Sequence, residues 1–322
     1  MSAAPDRSRP RVAVLGTAHI HLADHLAVLR ADGGPAAVLP DPPPWRADLP
    51  GVRWAPTARA ALTGADAAVI CSTTARHGEL LRETLAAGVP ALVEKPLAAD
   101  AARTARLIEE IGRAPASVPV ATAMFLRCAP ALRRLRTLLA EGRIGEPTGA
   151  GLAFCHPGLP DGIFAGRTGW MTRPEHGGTG AFADLGIHLL DLLRWLRPDA
   201  PFAVRGAVLR RRPGLAVDAG GTALLDWAGV PVTVRADWTT RPGGLRLRFD
   251  GTEGSVAVDG GAVLLAADGR TAVEAYRPPA AGDALVAFLA GLRGDRAAWT
   301  APTPADLTAC ARALDEVAAL AG

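Results

Sequence analysis

The sequence predicts an α/β fold in two parts: a doubly wound parallel sheet, followed by a second α/β part that is rich in hairpins. The chain has 322 residues, 49% of them hydrophobic, which is enough for about two domains. Apolar runs alternate with helical stretches in the N-terminal part, and strands broken by glycine turns follow. We therefore place the first domain at residues 9–123 and the second at residues 124–322.

Five short apolar runs mark the strands of the first domain. Between them, leucines recur at helical spacing, as at Leu22, Leu26 and Leu29. Strands that alternate with helices over such short distances predict a parallel sheet covered by helices. The runs are Arg11–Leu15, Pro35–Leu39, Ala67–Cys71, Ala91–Val93 and Pro119–Ala123.

The second domain combines hairpins with a few helices. Glycine-containing turns separate its β-branched segments, which is typical of antiparallel strands. The turns are Ala228-Gly229, Gly251-Thr252, Asp259-Gly260-Gly261 and Asp268-Gly269. Helical spacing predicts helices at Pro130–Glu141, Ala181–Arg197, Asp283–Leu292 and Pro304–Leu320.

Composition and charge exclude several classes of protein. The net charge is only +3 and the arginines form no basic tract, so we expect no nucleic-acid partner. No apolar run reaches the roughly 18 residues that a membrane span needs, and residues 1–7 contain no hydrophobic signal core. We expect a cytoplasmic protein without a membrane partner.

Lys95 is the only lysine among the 35 lysine and arginine residues. It lies two residues after the run Ala91–Val93, at the carboxyl end of a predicted parallel strand, where such sheets bind ligands. Lysine is a compact charge whose pKa shifts on burial, whereas arginine is a wide planar fork. The residue is therefore a candidate for chemistry that arginine does not perform, and the alternative is chance survival in an arginine-biased chain.

The first βα turn reads Gly16-Thr17-Ala18-His19-Ile20 and resembles a dinucleotide-binding loop that has kept only one glycine. Gly16 makes the tight turn, and the following helix N-terminus presents amide groups to a pyrophosphate.

Asp41 lies about 25 residues after the turn glycine, near the distance at which a carboxylate reaches a ribose 2′-hydroxyl. Its charge repels a 2′-phosphate, and Pro42–Pro44 carry the next basic residue, Arg46, away. NAD is therefore expected in preference to NADP. The alternative is an aspartate that only shapes the turn before the prolines.

Three histidines, His19, His21 and His25, follow the turn. No carboxylate or cysteine stands beside them at a recognisable ligand spacing, so we expect no metal. A histidine at this helix N-terminus is instead suited to donate to a phosphate or substrate oxygen.

Polar residues also share one face of the helix Ala181–Arg197. Asp184, His188 and Asp191 stand at positions i, i+4 and i+7 in a leucine-rich helix, so they need either partners or a cavity. The alternative to a functional site is a satisfied core histidine beside a salt bridge.

Taken together, Glu94-Lys95-Pro96 and the Asp184–His188 helix resemble the glucose-fructose oxidoreductase and inositol dehydrogenase family, Gfo/Idh/MocA. Ser72-Thr73-Thr74-Ala75-Arg76-His77 is similar to the family's T-P-N-x-x-H, with threonines in place of the proline and asparagine. Further matching segments are Ala87-Gly88, Arg127-Cys128-Ala129-Pro130, Gly142-Arg143-Ile144-Gly145-Glu146, Gly169-Trp170 and Gly251-Thr252-Glu253-Gly254-Ser255.

The resemblance implies an N-terminal Rossmann domain that binds NAD(P). It also implies a C-terminal α/β domain whose large, mostly antiparallel open sheet forms a homodimer or homotetramer. Lys95, Asp184 and His188 would be the catalytic residues, and Arg127 and Trp170 would join Asp184 and His188 around the substrate. The implied cofactor contacts are Gly16, Thr17, Ala18, His19, Ile20, Asp41, Ser72, Thr73, His77, Glu94 and Lys95.

The function expected from this resemblance is NAD-dependent hydride transfer to or from a secondary alcohol or ketone of a sugar, aminosugar or cyclitol. His188 would take the hydroxyl proton, and Lys95 would stabilise the charge on the same oxygen. Two alternatives on the same fold are a glycoside hydrolase that uses NAD transiently and a non-catalytic ligand-sensing co-regulator. Retention of all three catalytic candidates argues against the sensor.

Overall fold

The structure, a computed structural model, describes residues 10–31, 34–295 and 299–321. Residues 1–7, in which no signal core is expected, and residue 9, the predicted start of the first domain, lie outside the described residues. Among the described helices, none combines the length and apolar character needed to cross a membrane.

The first sheet contains five parallel strands in the order β2-β1-β3-β4-β5. Each strand lies within one of the predicted apolar runs, which confirms the doubly wound parallel sheet. The strands are β1 (Val12–Leu15), β2 (Ala37–Leu39), β3 (Ala67–Ile70), β4 (Ala91–Val93) and β5 (Val120–Thr122). The helices around them are α1 (Leu22–Ala31), α2 (Ala58–Leu62), α3 (His77–Ala86) and α4 (Ala101–Gly112).

The second sheet contains eight strands in the order β13-β12-β11-β10-β6-β9-β8-β7. Every neighbouring pair is antiparallel except β6 with β9, so the mostly antiparallel open sheet is confirmed. The strands are β6 (Pro147–Cys155), β7 (Phe202–Leu209), β8 (Gly220–Trp227), β9 (Val230–Asp237), β10 (Gly244–Gly251), β11 (Gly254–Asp259), β12 (Ala262–Ala267) and β13 (Arg270–Ala275).

Four longer helices accompany this sheet: α5 (Pro130–Ala140), α6 (Gly180–Leu196), α7 (Asp283–Leu292) and α8 (Pro304–Leu320). Helix α6 packs against β9 and β8 on one side and against α8 on another, and almost all of its side chains are buried. Helix α8 also contacts α4 of the first domain, so α6 and α8 together connect the second sheet to the first domain. Helix α6 also contacts the segment after β5, at the carboxyl end of the parallel sheet.

Candidate active site

Lys95 lies two residues beyond the end of β4 and is only 2% exposed. Its ammonium group donates to the carboxylate of Asp184 and, at 3.2 Å, to the backbone carbonyl of the same residue. The second carboxylate oxygen of Asp184 accepts a hydrogen bond of 2.9 Å from the indole of Trp238, a residue that sequence reasoning missed. The end of β4 and the first turn of α6 are thus joined by a buried ion pair.

The Asp184 carboxyl is ionised in this arrangement. Burial alone raises its pKa, but the Lys95 ammonium and the hydrogen bonds from Lys95 and Trp238 outweigh burial and lower the pKa to about 2. Asp184 therefore holds Lys95 in place as a charged partner across the acid and neutral range.

His188 lies one helical turn beyond Asp184 and is 1% exposed. Its ring contacts Phe125 and Phe154, with centroids 4.9 and 6.0 Å away, and its Nδ1 has no hydrogen-bond partner among the described residues. Burial, reinforced by the nearby charge of Lys95, lowers the pKa of His188 well below 6.5. The imidazole is therefore neutral at pH 7, which is the form that accepts a proton.

His77 supports the segment that carries Lys95. Its Nδ1–H donates to the carbonyl of Pro96 at 3.0 Å, and the ring is buried. Because a carbonyl only accepts, this contact defines which nitrogen carries the proton. His77 therefore fixes the turn immediately after Lys95.

Asp41 is buried within the glycine turn, with an exposed fraction of 1%. One carboxylate oxygen accepts from the amides of Thr17 and Ala18 at 2.6 and 2.8 Å. The other accepts from the Ser72 hydroxyl at 2.5 Å and from Arg76 Nη1 at 2.7 Å. Asp41 therefore ties together the ends of β1, β2 and β3, and Arg76 partly compensates its charge.

The arginine beside Asp41 is not the one that follows it in the sequence. Arg46, which we expect to lie away from the ribose, packs over the ring of Trp54 at 4.5 Å to the centroid, whereas Arg76 reaches Asp41 from the segment after β3. The contact between Arg76 and Asp41 was not predictable from the sequence, because the two residues are 35 positions apart.

Gly16 makes the predicted tight turn, with a φ of +91°. A Cβ at this position would lie 2.3 Å from the Cβ of Ser72, so only glycine permits this close approach between the two segments. Thr73 is also buried beside Ser72.

Residues of the second domain cover the carbonyl side of the glycine turn. Trp170 is buried and donates from its indole nitrogen to the carbonyl of Ala18 at 3.1 Å. Arg167 donates to the carbonyls of Thr17 and His19 at 3.1 and 2.6 Å. Trp170 therefore lies against the turn, while its predicted contact with substrate stays a prediction.

Arg127 is buried in an ion-pair network, with 2% exposure. Its guanidinium binds the Asp191 carboxylate through two hydrogen bonds of 2.8 and 2.7 Å and reaches Asp306 at 3.1 Å. Burial raises the pKa of Asp191 despite this partner. Of the three polar residues on one face of α6, Asp191 thus pairs with Arg127 and Asp184 with Lys95, and substrate contact by Arg127 stays a prediction.

The three histidines after the glycine turn converge on Glu94. His25 Nε2 and His21 Nδ1 lie 2.6 and 3.2 Å from one carboxylate oxygen, and His19 Nδ1 lies 3.6 Å from the other. Burial raises the pKa of Glu94, but the charges of His19 and His21 and the hydrogen bonds from His21 and His25 outweigh it and lower the pKa well below 4.5. Glu94 is the carboxylate partner that the sequence did not reveal, because it comes from the end of another strand.

Two features of the site suit a dinucleotide: amides that bind an anionic oxygen, and polar atoms without partners beside Lys95. The amides of Thr17 and Ala18 converge on an anionic oxygen of Asp41, which shows that this turn can bind a negatively charged group. A narrow cleft beside Lys95 is also lined by Thr74 and His19, whose Oγ1 and Nε2 atoms are buried without a partner among the described residues. These polar atoms are available to a ligand.

A parallel five-stranded sheet with a glycine turn, joined to an eight-stranded sheet by a buried Lys–Asp pair, defines a two-domain Rossmann-type protein. Residues 11–121 match the model described as "Oxidoreductase family, NAD-binding Rossmann fold", and residues 132–257 match the GFO/IDH/MocA C-terminal domain. The chain therefore belongs to the Gfo/Idh/MocA oxidoreductase family, as the motifs predicted.

Curated relatives share parts of this chain. It is 32% identical over 219 residues to dTDP-3,4-didehydro-2,6-dideoxy-alpha-D-glucose 3-reductase of Streptomyces violaceoruber, a match that covers 67% of this chain and 56% of that protein. It is 34% identical over 146 residues to inositol 2-dehydrogenase of Acidothermus cellulolyticus, covering 45% of this chain and 39% of that protein. The matched segments thus span less than two thirds of either relative.

The fold is shared over the whole chain. The inositol dehydrogenase homolog of Azotobacter vinelandii, solved with NAD+, superposes with a TM-score of 0.78 at 17% identity, covering 100% of this chain and 97% of that chain. At this level of identity, the likeness shows the common fold alone.

Proposed function

We propose that the chain transfers hydride between NAD and a CH–OH or C=O carbon of a sugar, aminosugar or cyclitol. The observation that carries this proposal is the buried Lys95–Asp184 pair at the carboxyl end of β4, with a neutral His188 one helical turn away. These groups can bind an alcohol oxygen and accept its proton, which are the two tasks that hydride transfer leaves to the protein.

Each of the three side chains has a separate role in the proposal. An ammonium group has three donors, and Asp184 accepts two of those of Lys95, which leaves one for the substrate oxygen. That donor stabilises the charge that develops on the oxygen during hydride transfer. His188 takes the hydroxyl proton during oxidation and returns it during reduction.

NAD supplies the hydride acceptor when it is bound. We propose that the amides of the glycine turn hold its pyrophosphate and that Asp41 accepts from a ribose hydroxyl, in place of its present partners. The edge of the cofactor site next to the glycine turn would be formed by Ser72, Thr73 and His77. The nicotinamide end of the site would be formed by Glu94 and Lys95. The residues of the turn are Gly16, Thr17, Ala18, His19 and Ile20.

The substrate class rests on the relatives together with the site. One relative is named for reduction of a nucleotide-linked deoxysugar and another for oxidation of inositol, so both act on ring carbons that bear oxygen. The aromatic rings of Phe125 and Phe154 beside His188 provide an apolar wall for such a ring. We propose that Arg127 and Trp170 border this region.

Association of subunits through the second sheet is part of the proposal. Four large apolar side chains are exposed on its strands β7, β8, β12 and β13: Val208, Leu224, Leu264 and Val273. Val208 and Leu224 lie on neighbouring strands, as do Leu264 and Val273, and we propose that both pairs are buried against a second copy in a homodimer or homotetramer.

A substrate screen tests the function. Purified protein is mixed with NAD or NADP and a panel of sugars, cyclitols and aminoglycosides, and nicotinamide absorbance is followed. Net reduction of the cofactor by at least one polyol supports the proposal. Cleavage of a glycoside without a net absorbance change indicates a hydrolase, and binding without any turnover indicates a sensor; either result contradicts the proposal.

The pH dependence should identify His188 as the base. Because burial lowers its pKa, the acidic limb of the pH profile of kcat/KM for oxidation should lie below pH 6.5. His188→Ala should lower kcat and remove this limb. His176→Ala is the control, because the imidazole of His176 packs against Trp45 and not in the cluster around Lys95. This variant should keep the wild-type pH profile. An unchanged profile in His188→Ala would assign the base elsewhere.

Cofactor choice should favour NAD over NADP. The Asp41 carboxylate repels a 2′-phosphate, so Asp41→Ser should reduce the ratio of NAD affinity to NADP affinity. Arg76→Ala should increase this ratio, because the substitution removes the cation that lies 2.7 Å from the Asp41 carboxylate. Titration of both cofactors by tryptophan fluorescence measures these affinities. Tighter binding of NADP than NAD to the wild-type protein would overturn the role of Asp41.

A further inference from the structure

We propose that His19, His21 and Glu94 form a binding site for a divalent transition-metal ion, and that zinc is the ion this ligand set favours. Two imidazoles and one carboxylate match the three protein ligands that zinc takes when its fourth position stays open. His19 and Glu94 also border the proposed cofactor site, so the ion is tested in the absence of nicotinamide.

The distances within the cluster suit a single ion. Nδ1 of His21 lies 3.2 Å from one oxygen of Glu94, and Nδ1 of His19 lies 3.6 Å from the other. One ligand atom from each of the three residues falls within 4.8 Å of the others. Tetrahedral zinc with bonds of about 2.1 Å places its ligand atoms about 3.4 Å apart. Binding the ion therefore requires side-chain rotations that bring these atoms closer together and release His19 Nδ1 from the backbone amide of His21, which donates to it at 3.3 Å.

Two further contacts hold the carboxylate. His25 Nε2 lies 2.6 Å from the Glu94 oxygen that also faces His21, and the backbone amide of Lys95 donates to the other oxygen at 3.1 Å. Such outer partners orient metal ligands and are a regular feature of metal sites. His25 is a positioning residue here, since it reaches the ion only through Glu94.

Two buried nitrogen atoms of these histidines lack a hydrogen-bond partner among the described residues. They are His19 Nε2 and His25 Nδ1. A buried polar atom without a partner calls for an explanation, and an ion that reorganises the imidazoles is one. The His21 side chain is 17% exposed and gives an ion a route to the cluster.

Cobalt is the probe for this site, because Co²⁺ at a tetrahedral site absorbs visible light and zinc displaces it. Tag-free protein is stripped with a chelator, dialysed and titrated with Co²⁺ in the absence of nicotinamide. We expect one equivalent of Co²⁺ to bind and Zn²⁺ to displace it. His21→Ala and Glu94→Gln should weaken binding by more than about 100-fold, since loss of an outer partner alone costs about 10- to 100-fold. His25→Ala should fall within that smaller range.

His176→Ala is the matched control, because it removes an imidazole outside the cluster, and it should bind cobalt like the wild type. Circular dichroism checks that each variant is folded, and the partly exposed His21 keeps the test valid if Glu94→Gln is unstable. Absence of stoichiometric binding in the wild type, or wild-type affinity in folded His21→Ala, would refute the metal site. Neither result bears on the substrate screen, which uses no added metal.

Discussion

Replacing Lys95 with methionine should reduce kcat for hydride transfer by about 100- to 1,000-fold, the loss typical of removing one preorganised donor to a developing oxyanion. Methionine keeps a similar stem and removes only the charge. Arginine is not an equivalent replacement, because its planar fork differs in shape from the compact, buried ammonium that Asp184 binds. Steady-state kinetics on the substrate found in the screen measures this effect.

The ion pair dictates the control for this experiment. Lys95→Met leaves Asp184 buried without its cation, which destabilises the fold by itself. The double variant Lys95→Met/Asp184→Asn removes both charges and should restore stability without restoring turnover. Wild-type activity in a folded Lys95→Met protein would show that Lys95 takes no part in catalysis.

Replacing Arg127 with methionine should lower the free energy of unfolding by about 3 to 5 kcal/mol, the usual cost of breaking a buried ion pair from one side. Two hydrogen bonds join Arg127 to Asp191, and a third joins it to Asp306 on α8. Loss of the guanidinium leaves the Asp191 carboxylate buried without a cation. Chemical denaturation followed by circular dichroism measures the change.

Arg205→Met is the matched control for burial. Arg205 pairs with Asp226 at 2.7 Å on the surface of the second sheet, where water screens both charges. This variant should lose far less stability than Arg127→Met. Equal losses in the two variants would contradict the assignment of Arg127 to the structural core of the protein.

Much of the fold was predictable from local pattern. The five apolar runs contain the parallel strands, and helix α6 begins and ends one residue before its predicted bounds. Strand β6 had no such signal, since Gly149 and Gly151 interrupt its pattern and no tight turn adjoins it. Its parallel pairing with β9 joins segments about 80 residues apart, a contact that no local pattern encodes.

The site residues that belong to recognisable motifs were predictable from the sequence. The contacts between residues that are distant in the sequence were not. Lys95 and Asp184 were both named from their motifs, and the structure places them in direct contact. Asp191 pairs with Arg127, which is the salt bridge named in the alternative interpretation of the polar face of α6. The approach of Arg76 to Asp41 and the convergence of three histidines on Glu94 depend on the order of strands in the sheet, so spacing did not reveal them.

Hydride transfer itself is tested most directly with labelled cofactor. Wild-type protein is incubated with NADH that carries deuterium at C4, in each of its two stereoisomers, and with a panel of ketosugars and inososes. Mass spectrometry then follows the label. The proposal predicts that one stereoisomer delivers a single deuterium to the new carbinol carbon while NAD is formed. A product without deuterium from either stereoisomer, formed by protein that binds NADH, would contradict hydride transfer as the function of this chain.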